Sequence, residues 1–357
     1  MVERFLSRYT PTGEKIEGGH GEVIICVDEH LERKVAIKFI FSDIDKRRLL
    51  DEIKALQKIR SKHVVQIFDI IVTQEPRRIG IIQEYIPGKD LFDISVSESL
   101  RKEEYLKLIY QIASGLSDIH NQGIVHRDVK LNNIKLDQEN IIKIFDFGLA
   151  RLLDTDASTL GFVGTQSFAA PELYVSGIVS FTEAVDVYAF GVTIWLLSGA
   201  VLPDRLKVCP PTGHDKSFSF SDLSYSLEDE ICEILDLTLS LEPCDRPKMS
   251  SIADMLKKYL LRGKHKAVVV SEGKVYELTG SRRTMTLASG TLGSIDIKYD
   301  NLNFKVFKVM GSAYINNRAI SEGYILPNNC VITLGDSNKD RSRSFITFDI
   351  SNPEVVL

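Results

Sequence analysis

The chain has 357 residues and a net charge of −5, with 44 Lys and Arg against 49 Asp and Glu. A hydrophobic fraction of 44% and a charged fraction of 26% suit a globular protein of two ordinary domains. The mild negative charge argues against a general nucleic-acid or membrane-surface binder. Five scattered cysteines without a Cys-x-x-Cys pair argue against structural zinc or a disulfide framework and suit a reducing compartment.

In chain order, residues 1–15 are polar and mixed in charge, so no secretory leader is expected. Residues 16–27 and 34–41 alternate or run β-branched around a polar turn at 28–33 and read as strands. Residues 45–59 carry Leu49, Ile53, Leu56 and Ile59 at helical spacing. Two further strands are expected over 64–72 and 79–85. The pattern turns helical over 103–121 and stays mainly helical over 181–261, apart from a Pro-, Gly- and Ser-rich loop at 203–222. The longest apolar run, 187–202, is shorter than a membrane span needs and reads as a core helix. A basic stretch at 262–266 follows. Beyond it, strands are expected over 267–270, 274–278, 284–287, 304–309, 313–315, 331–334 and 344–349, the pattern of a β-sandwich.

The densest chemistry lies in His126-Arg127-Asp128-Val129-Lys130-Leu131-Asn132-Asn133 and then Asp146-Phe147-Gly148. Two acids, a lysine and an amide stand here in the order that phosphoryl transfer uses. Asp128 suits a group that orients a hydroxyl and accepts its proton. Lys130 suits charge neutralisation at a γ-phosphate, and Asn133 and Asp146 suit Mg²⁺. The stretch resembles the catalytic and magnesium-binding loops of eukaryotic-type (Hanks-type) protein kinases.

That resemblance implies an α+β, bilobal protein-kinase fold over residues 1–262, with a β-rich N-lobe of about 1–84 and a helical C-lobe of about 88–262. It implies ATP and Mg²⁺ as cofactors, with Mn²⁺ as an alternative. The phosphate loop is then Ile16-Glu17-Gly18-Gly19-His20-Gly21-Glu22-Val23, where Gly18, Gly21 and Val23 match the family and Gly19 adds a further glycine. The family's first glycine is either replaced by Ile16 or deleted beside it. Glycine belongs where the backbone must approach phosphate oxygens without a Cβ. Lys38, in Val35-Ala36-Ile37-Lys38, matches the strand lysine that grips the α- and β-phosphates, with Ala36 against the nucleotide. Glu52 matches its helix partner, with Asp51 a rival. Gln83-Glu84-Tyr85-Ile86-Pro87-Gly88 resembles the linker between lobes, implying adenine contacts at the backbone of Glu84 and Ile86. Asp90 is expected at the ribose, or equally as a helix cap.

Arg127 is the arginine that in the family often receives an activation-loop phosphate. Thr155, Ser158 and Thr159 are the candidate phosphorylation sites. Lys130 and Thr165 point to Ser/Thr substrates, Thr165 by linking Asp128 and Lys130. Glu172 with Arg246, and Asp186 at the head of an apolar helix, are expected structural braces.

After a linker at 263–266, residues 267–357 resemble a forkhead-associated (FHA) domain, an all-β sandwich that reads phosphothreonine. The resemblance rests on residues 292–297, 311–320, Leu326 and 331–336. The family's phosphate-gripping arginine is replaced by Ser294, and its Ser-Arg run by Leu302-Asn303-Phe304-Lys305. Arg282 and Arg283 are candidate substitutes. Loss of a bidentate guanidinium removes the strongest part of phosphate recognition, so a docking or dimerisation module is the favoured reading.

The expected whole is a cytoplasmic Ser/Thr protein kinase that phosphorylates protein substrates and its own activation loop. Its partners are protein substrates and a phosphoprotein or dimer partner at the C-terminal domain, with neither nucleic acid nor membrane. The architecture suggests a bacterial or phage-borne signalling kinase. A pseudokinase scaffold is the alternative, and a small-molecule kinase of the same fold a second.

Overall fold

Glycines divide the β-branched stretch expected as one strand over 16–27. β1 (Tyr9–Gly18) and β2 (Gly21–Asp28) pair antiparallel, and Gly18 faces Gly21 in their last pair. Residues without a Cβ let the chain reverse there at low steric cost. The computed structural model describes residues 8–18, 21–40, 53, 57–73, 79–97, 99–147, 151–152, 158–160, 168–174, 178–212, 218–271, 273–336 and 343–351.

Contacts divide the chain into two units, the first ending at Leu256 and the second running Lys257–Val356. The first unit opens with a five-stranded antiparallel sheet. β3 (Arg33–Ile40), β4 (Ile67–Val72) and β5 (Ile79–Glu84) join β1 and β2 in the order β1-β2-β3-β5-β4. One set of inward residues, including Tyr9, Ile24, Cys26, Val35, Ile37 and Ile82, packs as a cluster. Ile53, Ile79 and Ile81 form another. Of the helix expected over 45–59, Ile53 is helical and accepts the Gln57 N–H at 2.9 Å. Glu52, Leu49 and Leu56 lie outside the described residues.

The helical part of this unit comprises α1 (Leu91–Ser97), α2 (Lys102–His120), α3 (Glu183–Leu197), α4 (Asp204–Lys207), α5 (Asp229–Asp236) and α6 (Met249–Leu260). Short strands are set among them: β6 (Ile124–Val125), β7 (Ile134–Leu136), β8 (Ile142–Ile144), β9 (Arg151–Leu152), β10 (Ser158–Leu160) and β11 (Ile178–Ser180). α3 is buried along nearly its whole length, as an all-round apolar helix must be. It stops at Leu197 rather than running through the apolar stretch to 202, because Gly199 turns into the left-handed region at φ +78°. Among the described residues, no helix is long and apolar enough to cross a membrane.

Beyond the last turn of α6, the regular elements described in the second unit are all strands. β12 (Lys266–Ser271), β13 (Lys274–Leu278), β17 (Ala313–Ile315), β18 (Arg318–Ala319), β19 (Asn329–Leu334) and β20 (Ser344–Ser351) form one sheet, in the order β13-β12-β20-β19-β17-β18. β14 (Thr284–Ser289), β15 (Gly293–Tyr299) and β16 (Phe304–Gly311) form the other. Their inward residues share a core that includes Ala267, Ile295, Ile297, Phe304, Ile332 and Phe348, consistent with a β-sandwich. β15 has no counterpart among the expected strands. Its alternation, with Ile295, Ile297 and Tyr299 buried between Ser294, Asp296 and Lys298, is the ordinary signature of a half-buried strand and was available in the sequence.

The linker expected at 263–266 is built into this unit instead. The Gly263 N–H donates to Asn301 O at 2.8 Å, and His265 Nδ1 lies 2.9 Å from the Tyr299 hydroxyl. The contact division falls earlier, inside α6.

Candidate active site

The loop 126–133 between β6 and β7 owes its shape to one buried carboxylate. Asp186, fully buried in the first turn of α3, accepts the N–H of His126 at 2.7 Å and that of Arg127 at 2.8 Å. His120 Nε2, at the end of α2, lies 2.9 Å from the same carboxylate. Burial alone pushes the Asp186 pKa up, but the His120 hydrogen bond, the nearby histidines and the amide donors hold it below the ordinary carboxylate value. Arg127 itself sits at φ +70°. A left-handed non-glycine backbone costs about 1–3 kcal/mol and persists only where its surroundings over-determine it; the two amide bonds to Asp186 supply that constraint. The Arg127 guanidinium stacks 3.8 Å from the Phe181 ring centroid.

Further bonds lock the chemistry-bearing side chains. His126 Nδ1 accepts the Asp128 N–H at 3.3 Å, and its Nε2 lies 3.2 Å from Phe145 O, which assigns the proton to Nε2. Asn133 ends a single 3₁₀ turn, Leu131–Asn133, and its Nδ2 donates to Asp128 O at 2.9 Å and Asp128 Oδ2 at 2.8 Å. Lys130 Nζ reaches the same Oδ2 at 2.8 Å. The β7–β8 hairpin then returns the chain, and the Phe145 N–H donates to Asn133 O at 3.0 Å. Asp146 therefore lies beside the loop, at φ +65°. Across from it, Lys38 on β3, buried along its stem, forms an ion pair with Asp146.

Asp128, Lys130 and Asn133 are thus linked by direct contacts, and Lys38 is linked in the same way to Asp146. Lys130 meets Asp128 without an intermediary; Thr165, expected between them, lies outside the described residues. So do Gly19, Glu52 and Thr155. Ser158 and Thr159 lie in β10, which pairs antiparallel with β11. Gly18 and Gly21 flank the β1–β2 reversal, and Val23 pairs with Lys38 across β2 and β3. Ala36 lies opposite Gln83.

At the end of β5, the Glu84 carboxylate meets Lys143 Nζ at 2.9 and 3.2 Å and accepts the Gln66 N–H at 3.2 Å. This anchors the 84–86 segment. Gly88 packs so tightly on the Leu136 carbonyl that a Cβ there would collide with it. Asp90 Oδ1 accepts the Asp93 N–H at 2.9 Å, so the helix-cap reading holds for that oxygen. Sequence reasoning missed Lys143 and His120. A lysine between apolar residues of a buried strand was the available signal for the first, since an unpaired lysine is rarely placed there.

The oxygen donors fit Mg²⁺. Asp146 offers a carboxylate, and Asn133 spends its amide N–H bonds on Asp128, leaving its carbonyl oxygen as a hard donor. Among the described residues, no group of three or more His, Cys, Asp or Glu is arranged to hold a metal by itself.

Glu172 and Arg246 form the second brace. The guanidinium takes the carboxylate in a bidentate pair at 2.7 and 2.8 Å and also donates to Ser240 O, Ala184 O and Leu241 O.

Comparison with known proteins agrees with this geometry. A family profile described as protein kinase domain matches residues 12–256. The ovarian-specific serine/threonine-protein kinase Lok of Drosophila melanogaster is 28% identical over 267 residues, covering 69% of this chain and 55% of that protein. Cyclin-dependent kinase-like 2 of Homo sapiens is 33% identical over 192 residues, 52% of this chain and 38% of that protein. Maternal embryonic leucine zipper kinase of Xenopus laevis is 31% identical over 192 residues, 52% of this chain and 29% of that protein. The chain therefore spans about half, or less, of the length of the curated relatives it matches. These relatives are animal proteins and lend no support to the bacterial or phage source expected from the architecture.

Proposed function

Because the chain belongs to the protein kinase family, we propose that it transfers the γ-phosphoryl group of ATP to serine or threonine hydroxyls of protein substrates. The observation that carries this reading is the contact network joining Asp128, Lys130 and Asn133, with Asp146 held beside it and Lys38 paired to Asp146.

In this reading the backbone of residues 84–86, anchored through Glu84 and Lys143, receives the adenine. Gly18, Gly19 and Gly21 let the β1–β2 reversal approach the phosphates. Lys38 grips the α- and β-phosphates, and Asp90 Oδ2 meets the ribose. Asn133 and Asp146 hold Mg²⁺, which when bound neutralises the phosphate charge. Asp128 orients the substrate hydroxyl and takes its proton as the oxygen attacks the γ-phosphorus in line with the departing ADP oxygen. Lys130, already against Asp128, screens the negative charge that grows on the transferred group. Autophosphorylation within the activation loop, at Thr155, Ser158 or Thr159, belongs to the same proposal. Arg127 is its receiver.

The second unit supports a docking role better than phosphothreonine reading. The segment that replaces the usual phosphate-binding run closes on itself: Asp300 accepts the N–H groups of Leu302 and Asn303 and pairs with Lys305 at 2.7 Å, and Phe304 is buried. Ser294 offers no guanidinium.

The kinase reading is tested in a heterologous host. Wild-type protein should carry phosphate on Thr155, Ser158 or Thr159 by mass spectrometry, and Asp128→Asn should carry none. Equal phosphate on both proteins would point to a host kinase and to a scaffold role for this chain.

A further inference from the structure

The net charge of −5 conceals a division. Residues 1–256 hold 29 Lys and Arg against 40 Asp and Glu, a net −11; residues 257–356 hold 15 against 9, a net +6. The whole positive excess comes from 257–283, where eight basic residues meet only Glu272 and Glu277.

The fold gathers part of that stretch at one end of the sandwich. A Cβ on Gly280 would stand 2.8 Å from Gly263 O, the Gly263 N–H bonds Asn301 O, and the Tyr299 N–H bonds Arg283 O at 2.7 Å. Arg262 and Lys264 flank Gly263, and Arg282 and Arg283 follow Gly280, so four exposed cations share adjoining loops. The one acid in these loops, Asp300, is engaged by Lys305 and its own turn. Arg283 Nε is fixed on Gly280 O at 2.9 Å.

The first unit carries the opposite pattern. Residues 217–245 contain eight acids and no Lys, Arg or His. On α5, Asp229, Glu230 and Glu233 are exposed. We propose that the basic end of the second unit, formed by Arg262, Lys264, Arg282 and Arg283, docks on the acidic α5 face of a second copy of this chain, giving a head-to-tail assembly. The proposal gives a definite occupant to the docking role read above and rests on that reading. A second copy is favoured over other polyanions because the complementary surface is present in every molecule at equal concentration. These loops also add no exposed aromatic ring on which a nucleic-acid base would stack. The contact is heterologous: it pairs two different faces, one from each of two copies.

Full-length protein should self-associate in sedimentation velocity at about 50 mM salt and dissociate at about 500 mM, where screening shortens to a few ångströms. R282E/R283E should be monomeric, with the apparent Kd raised at least about tenfold. E230K/E233K, altered on the other face, should be monomeric as well. Mixed in equal amounts, the two variants each retain one intact face and should form a 1:1 dimer and nothing larger, with circular dichroism confirming that both are folded. Wild type that stays monomeric at low salt overturns this contact and the self-docking role together, including when short RNA or phosphatidylserine vesicles bind in its place. Association that persists in R282E/R283E, or a mixture that fails to dimerise, overturns this contact while leaving the docking reading of the unit intact.

Discussion

Asp186 accepts the backbone N–H of Arg127 at 2.8 Å, from a helix that begins more than fifty residues later in the chain. A carboxylate is used because it accepts from both Arg127 and His126 while His120 holds it in place. Asparagine would keep the volume but lose the charge and turn an NH₂ toward donors. Asp186→Asn should therefore lower the unfolding free energy by about 2–4 kcal/mol. The single tryptophan, Trp195, lies in α3 of the first unit, so its fluorescence during urea unfolding reads that unit directly. An unchanged midpoint would contradict the brace.

Much of this site was legible before the fold. Asp128, Lys130, Asn133 and Asp146 are close in sequence, and their linkage needs only the β7–β8 hairpin. The Arg246–Glu172 pair was also expected, and it forms. Long-range partners with no local signature were not legible. His120 reads as a helix-terminal histidine until α2 and α3 pack together, and Lys143 reads as a solvent lysine until β8 is known to be buried. Strand β15 was legible from its polar–apolar alternation, whereas the 16–27 hairpin was hidden by β-branched residues on both sides of the glycines.

The Arg246 guanidinium makes five hydrogen bonds and its side chain is fully buried. Lysine keeps the charge but not the fork, leaving several of those carbonyl and carboxylate oxygens unsatisfied. Arg246→Lys should cost about 2–4 kcal/mol by the same fluorescence assay. Glu172→Gln should cost a similar amount because it leaves a buried guanidinium half paired.

His63 is buried, and burial, with Lys62 and Lys143 nearby, lowers its pKa from 6.5 to about 4. The folded state therefore holds it neutral while the unfolded chain protonates near 6.5. Stability from this group is present above pH 6.5 and is lost as pH falls from there toward 4. The loss amounts to roughly 3 kcal/mol at most. Trp195-monitored melting should fall across this window, and the fall between pH 6.5 and 5 should shrink in His63→Asn. An identical slope in the variant would remove His63 as the cause.

Lys130 pairs with Asp128 at 2.8 Å. Lys130→Ala should cut kcat about 10²-fold through lost charge stabilisation, with little change in KM for ATP or in the urea midpoint. A loss confined to KM would place Lys130 in ground-state binding instead.

The central claim is that this constellation transfers phosphate. It is tested most directly by phosphotransfer from radiolabelled ATP to a protein substrate or to the chain itself, comparing wild type with Asp146→Asn in Mg²⁺. The account predicts label incorporation by wild type and none above background by a variant that unfolds at the same urea concentration. Undiminished label in Asp146→Asn, or no label from folded wild type, would contradict it.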